Sequence, residues 1–308
     1  MRRLPAIPNA VVLCYRTTDY GWPQLNLDPL PENLVITTGR LVLLIHGFNV
    51  SQEQAFDTYE TFRRAQQDVA QLPREGSVSY DRMFIEVDWP GNIDGRAVIS
   101  AAAYGLTVPR AQDVGKWLAA DINYAARRFG RVEIEVVAHS LGCRVALEAI
   151  RHLDPAVAPI RAIVFQAAAV DVRQLESELD KLALRSALGT RRAVSLYSGW
   201  DDVLWGAFPP GQVSAGEWGS GWPKALGSSK WTHPRAPQTL TQHEIPRAGH
   251  SDYWGKPGRP ERVRLAQYAV RDALAFQPPP PRQTPQRETE SRPTFGERLT
   301  AVRKTLLG

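Results

Sequence analysis

An apolar run at residues 132–137 breaks at Ala138-His139-Ser140-Leu141-Gly142 and gives way to a helical pattern, which sets one serine on the turn between a buried strand and a helix. Small residues on either side let such a turn close tightly. It lifts the hydroxyl off the end of the strand, above a helix N-terminus whose first N–H groups have no intrahelical partner. A chain built this way needs that strand inside a sheet and a helix packed behind it.

The rest of the sequence supplies the sheet. Short apolar runs at 11–15, 41–45, 83–89, 162–167, 193–197 and 242–245 read as strands. Helical patterns separate them. Ser51 with Gln54 forms a capping box opening a helix to about 72, and Val114, Trp117, Leu118, Ile122 and Ala125 recur at helical spacing within 109–128. Further helices are expected at 141–152, 172–184 and 259–276, with a Gly- and Ala-rich connection before 109. Strands apolar throughout, alternating with amphipathic helices, predict an α/β fold: a mostly parallel central sheet with helices on both faces, binding ligands at the carboxyl ends of its strands. Between 204 and 237 periodicity is lost, and Trp205, Trp218, Trp222 and Trp231 crowd an ordered loop or small cap. Residues 1–276 read as one domain. Beyond it, 277–308 is a Pro-rich linker with a short terminal helix striped by Phe295, Leu299, Val302 and Leu306.

With 43% hydrophobic residues in 308, the chain can bury a large core. Its net charge of +5 is spread among acidic residues without a basic run, which argues against nucleic-acid binding. The two cysteines, Cys14 and Cys143, suit neither a disulfide framework nor a metal site, so no metal and no cofactor are expected. Pro5 and Pro8 interrupt the basic start, and the apolar run after them covers only 10–14, so a signal peptide is not expected and a cytoplasmic location is. No stretch approaches the roughly twenty apolar residues of a membrane span.

A serine hydroxyl is a poor nucleophile near neutral pH and needs a general base, for which histidine has the suitable pKa. Of six histidines, His250 in Ala248-Gly249-His250-Ser251-Asp252 is placed best, in a glycine-bearing loop between the last strand and the last helix. His139 is expected to point away from Ser140, and His46 to hold its own loop by hydrogen bonds. The base needs a carboxylate to fix its tautomer: Asp201 and Asp202 follow the strand at 193–197, and Asp171 follows the strand before. Two backbone donors are needed for a developing oxyanion, and Leu141 N–H and Phe48 N–H, at the ends of neighbouring strands, are the candidates.

Taken together, His46-Gly47-Phe48-Asn49, Asp88-Trp89-Pro90-Gly91, Ala138-His139-Ser140-Leu141-Gly142, Tyr197-Ser198 with Asp201-x-Val203-Leu204, and Gly249-His250-Ser251-Asp252-Tyr253 resemble a serine hydrolase of the alpha/beta-hydrolase superfamily, in a poorly characterised bacterial lipase- or esterase-like branch. One departure is Ala138, which stands where the G-x-S-x-G pattern has its first glycine. The resemblance spans about 11–276. It implies metal-free, cofactor-independent ester hydrolysis through an acyl-serine, with a Ser140, Asp201, His250 triad. The Asp-x-Val-Leu match favours Asp201 over Asp202 and Asp171. Substrates would be small-molecule or lipid esters, with Trp205, Trp218 and Trp222 lining the acyl site unless the tryptophans form a small core of their own. Two other readings stand beside it: a non-catalytic scaffold that engages partners through its C-terminal tail, and a lipase or phospholipase that contacts membranes peripherally.

Overall fold

The structure, a computed structural model, describes residues 10–16, 39–70, 82–92, 101–173, 175, 192–217, 221–232, 240–254 and 260–274. Seven strands, β1 (Ala10–Cys14), β2 (Arg40–Ile45), β3 (Met83–Asp88), β4 (Glu133–His139), β5 (Ile160–Gln166), β6 (Ala193–Tyr197) and β7 (Leu240–Glu244), form one sheet in the order β1-β3-β2-β4-β5-β6-β7. Every pairing is parallel. The helices are α1 (Gln52–Ala70), α2 (Ala101–Phe129), α3 (Gly142–His152), α4 (Phe208–Ser214) and α5 (Pro260–Leu274). α1 packs with α5, while α2 packs with α3 and α4, so the sheet is covered on both faces.

The local sequence explains the main elements. β4 is buried from Ile134 onward and is apolar there except at Glu135 and its last residue, His139, as an interior parallel strand should be. Each fully buried Val or Ile there contributes about 1.5–3 kcal/mol relative to exposure. The capping box forms at α1: Ser51 N–H donates to Gln54 Oε1 at 3.0 Å, and Gln54 N–H donates to Ser51 Oγ at 3.3 Å. On α2, Val114, Leu118, Ile122 and Ala125 are buried and Trp117 packs partly against the same core.

Three expectations need correction or fall outside. α2 begins at Ala101, two turns before the expected 109, and carries Pro109 within it. An interior proline costs a helix about 3 kcal/mol, but Tyr104, Val108 and Ala111 are buried around it, and α4 packs on the same helix. Residues 203–214, read as irregular, are a π-helical turn (Val203–Ala207) continuing into α4, with Pro209 and Pro210 in the first turn of α4, where a missing N–H is harmless. The expected helix at 172–184 and the tail at 277–308 lie largely or wholly outside the described residues.

The order of strand addition reverses between β2, which is followed by β3 on one side, and β4, which is followed by β5 on the other. The crevice at such a switch point is where sheets of this kind bind ligands. It falls between the loop after β2 and the turn after β4, the two segments that carry Gly47-Phe48 and Ser140-Leu141.

Candidate active site

Ser140 directly follows β4 with φ +52°, a left-handed conformation that a side chain tolerates poorly. Neighbouring backbone holds it there. Its N–H donates to Gln166 O at 2.9 Å, and its carbonyl accepts from Cys143 N–H and Ala169 N–H, both at 3.1 Å. Gly142 is required because a Cβ there would lie 2.2 Å from His46 O. Ala138, the departure from the pattern, is paired with Ile45 and Phe165 and is fully buried.

The loop after β7 brings His250 over this turn. Asp252 shapes the loop by accepting from Gly249 N–H at 2.9 Å. His250 Nε2 lies 2.8 Å from Ser140 Oγ, and Nδ1 lies 2.8 and 3.1 Å from the two oxygens of Asp201. Two carboxylate oxygens at Nδ1 require the proton there, leaving Nε2 to accept from the serine hydroxyl. Asp201 is fully buried and anchored by Leu204 N–H, which donates to its Oδ1 at 3.0 Å. The other two carboxylates are elsewhere: Asp171 accepts from the Arg173 guanidinium at 2.8 Å, and Asp202 occupies the N-cap position of the π-helical turn, without a side-chain capping bond, one residue past Asp201.

His139 makes a contact that the sequence did not indicate. Its ring stands 4.9 Å from that of His250, and its Nε2–H donates to the His250 carbonyl at 2.7 Å, tying the nucleophile strand to the loop that carries the base. His46 behaves as expected, and in more detail. Its Nδ1–H donates to Gly47 O at 2.9 Å, and a Cβ on Gly91 would approach that same oxygen to 2.7 Å, so the carbonyl faces the β3 side. A trans peptide then turns Phe48 N–H to the opposite side, toward β4. Gly47 is itself pressed against the nucleophile, since a Cβ on it would fall 2.8 Å from Ser140 Cβ. Phe48 and Leu141 each stand three residues beyond the paired Ile45 and Ala138, and neither N–H has a backbone acceptor among the described residues.

A cleft of about 490 Å³ opens over Ser140 and His250, walled by Phe48, Tyr104, Val203, Leu204, Phe208 and Trp254. Among the described residues, no Asp, Glu, Lys or Arg lines it. Tyr104 meets Phe48 edge to face at 5.7 Å and Phe208 at 6.1 Å, joining the loop after β2 to α4. Trp205 and Trp222 do not line the cleft: they are 40% and 70% exposed, and the lining from this region is Val203, Leu204, Gly206, Ala207, Phe208 and Pro210 instead. Along the π-helical turn Val203 and Leu204 face the cleft, whereas Trp205 between them and Gly206 does not. Trp218 and His233 lie outside the described residues. Tyr104 was hidden in the run read as a connection, and Trp254 could have been found four residues past His250. No cluster of His, Cys, Asp and Glu among the described residues could hold a metal ion, and no described helix is long and apolar enough to cross a membrane.

Among solved structures, an uncharacterized protein from Bacillus cereus ATCC 10987 is 13% identical over 76% of this chain and 60% of its own, with a TM-score of 0.41. The chain thus spans about 60% of that protein's length. The esterase domain of a Rhodothermus marinus protein is 13% identical over 78% of this chain and 87% of its own (TM-score 0.38). A propionate-bound esterase from Thermogutta terrifontis is 14% identical over 88% and 95% (TM-score 0.39). No protein of curated function matches. Residues 30–204, more than half of the sequence, match one family throughout, and the chain belongs to it: the alpha/beta hydrolases of unknown function designated DUF900.

Proposed function

We propose that the protein is a serine hydrolase that cleaves carboxylic esters through an acyl-serine intermediate. The observation that carries this reading is the line from Ser140 Oγ through the His250 ring to Asp201, each step at 2.8 Å. In the first step His250 Nε2 takes the hydroxyl proton as Oγ attacks the ester carbonyl; the new C–O bond makes a tetrahedral oxyanion, met by Phe48 N–H and Leu141 N–H. The imidazolium, stabilised by Asp201, then gives its proton to the departing alkoxide, and the ester C–O bond breaks to leave acyl-Ser140. Water repeats the sequence, deprotonated by His250, and releases the acid. A described lining that holds no Asp, Glu, Lys or Arg suits an uncharged, apolar acyl group, since a charged one would be desolvated without a partner there.

Ser140→Ala should abolish p-nitrophenyl butyrate turnover, by a factor of about 10⁴ or more, with an unchanged far-UV spectrum. Wild-type protein should take up a fluorophosphonate at Ser140, and retained turnover in the alanine variant would reject the assignment. A non-catalytic scaffold would not be labelled.

A further inference from the structure

Asp88-Trp89-Pro90-Gly91 takes no part in the steps above, yet with Arg16 it holds the loop carrying Phe48 at four places. Trp89 Nε1–H donates to His46 O at 2.8 Å, and its indole stacks on the His46 ring at 5.5 Å. Asn49 N–H donates to Gly91 O at 2.7 Å. Arg16 enters beside Asp88 because β1 runs parallel to β3 in that register, and its guanidinium divides itself among three acceptors: Asp88 Oδ1 at 2.5 Å, Asn92 Oδ1 at 2.7 Å and Val50 O at 2.9 Å. The same guanidinium stands 3.5 Å from His46 Nε2, which also faces Trp89 N–H at 3.4 Å.

With donors on its Nε2 and Gly47 O on its Nδ1, His46 has one satisfactory form, neutral and protonated at Nδ1. Burial lowers its pKa and the Arg16 charge adds to this, together outweighing the opposite pull of Asp88, whose Oδ1 stands 3.9 Å from Nε2, beyond hydrogen-bond reach. We propose that Arg16 and Asp88 are positioning residues: they select this form of His46 and thereby lock the Gly47–Phe48 peptide with Phe48 N–H turned toward the position of the developing oxyanion before substrate arrives. The role in catalysis rests on the ester-hydrolase reading above. A buried ion pair is a poor way to gain stability compared with apolar packing, and a planar fork with three acceptors in two loops is a good way to fix geometry.

The test uses the full chain with Arg16→Lys, which keeps the charge and loses the fork, and Trp89→Phe, which keeps the stack and loses the donor to His46 O. Nitrogen-15 shifts of the His46 ring and amide exchange of the loop after β2 are read beside kcat and KM for p-nitrophenyl butyrate, per folded protein. In Arg16→Lys we expect kcat to fall about ten- to a hundredfold, less than for outright loss of a donor, with KM within about twofold. The wild-type His46 signature of protonated Nδ1 should be lost and exchange at Phe48 and Asn49 should rise. Trp89→Phe should do the same to a smaller extent, and Asp88→Asn should match Arg16→Lys. An unchanged His46 signature and unchanged exchange in both variants overturn the proposal whether or not the protein turns over esters. Wild-type kcat in Arg16→Lys does so as well. Wild-type protein inert to esters and fluorophosphonate overturns the ester-hydrolase reading instead, leaving the ring and exchange signals to decide the positioning of the loop.

Discussion

The two ends of the sheet handle unusual backbone and buried charge in opposite ways. At the amino ends the left-handed residues are glycines, Gly39 before β2 and Gly130 before β4, which accept positive φ without strain. At the carboxyl ends they are Asn49 after β2, Ser140 after β4, Ala167 after β5 and Arg247 after β7, which together are all the non-glycine residues of positive φ among the described residues. Each costs on the order of 1–2 kcal/mol. Charge follows the same division. The amino end buries Glu135 against Arg82 Nε at 2.7 Å, and Arg82 also donates to Leu274 O at the end of α5, so that ion pair fastens structure to structure. The carboxyl end instead aims Asp201, His250 and the His46 loop at a cleft. Strain and polar burial accumulate at the end where side chains face open space, as expected where preorganisation is selected over stability.

The largest test of this contrast is Asp201→Asn, which keeps the shape at the carboxyl end and removes the charge that fixes Nδ1–H of His250. It should lower kcat by about 10³–10⁴-fold, read with p-nitrophenyl butyrate, while the melting temperature stays close to that of the wild type. Asn-variant turnover near the wild-type rate would separate the buried carboxylate from the chemistry.

Acid should act with opposite sign at the two ends. Burial pushes the Asp88 carboxyl up, but the Arg16 guanidinium 2.5 Å away outweighs that and holds it below the ordinary 3.8. A depressed carboxyl stabilises the fold above its unfolded pKa, so Asp88 contributes stability at neutral pH that is lost as pH falls below 3.8 through its lowered value. Glu135 is the reverse: burial raises it above 4.5 despite Arg82 and Arg161, so its contribution is most favourable in acid and declines as pH rises through the raised value. Urea midpoints from about pH 3 to 7 should flatten at the acid end in Asp88→Asn and steepen there in Glu135→Gln. Parallel curves for the two variants would erase the distinction.

The smallest effects compare strain directly. Ser140→Gly should be about 1 kcal/mol more stable than Ser140→Ala, because glycine relieves the positive φ that alanine keeps. At the amino end, where nothing lies within 4 Å of an added Cβ, Gly130→Ala should lose about 1 kcal/mol through φ alone and leave kcat unchanged. Thermal denaturation of the three variants decides the point, and a Ser140→Gly variant no more stable than Ser140→Ala would show that the turn carries no stored strain.

Most of the scaffold was legible because its cause is local. Strands buried on both faces need apolar residues in succession, and the capping box at Ser51 and Gln54 is read from a spacing of three. What escaped depends on distant partners. Gly105 and Pro109 look like breakers, yet the first turns of α2 form because α4 and the loop after β2 pack on Tyr104. The tryptophans of 204–237 suggest a lining by composition, but the helical turn that forms at Val203–Ala207 turns Val203, Leu204 and Ala207 to the cleft and leaves Trp205 outside it. His139 adjoins Ser140 in sequence, and adjacency on a strand implies opposite faces; the loop after β7 folds over and meets it there.

By itself the sequence determined the parallel α/β architecture, the serine on its turn and the pool of histidines and carboxylates that could serve it, since hydrophobic period and turn chemistry act over a few residues. Which carboxylate faces His250, how the His46 ring orients the Gly47–Phe48 peptide, and which side chains wall the cleft were decided only in three dimensions. Those outcomes depend on the register of β2 against β4 and of β1 against β3, and on loops that close across 49 to 110 residues of chain. Such long-range pairings leave no periodic trace in the sequence, because the entropy of closing them is offset only when the whole core assembles.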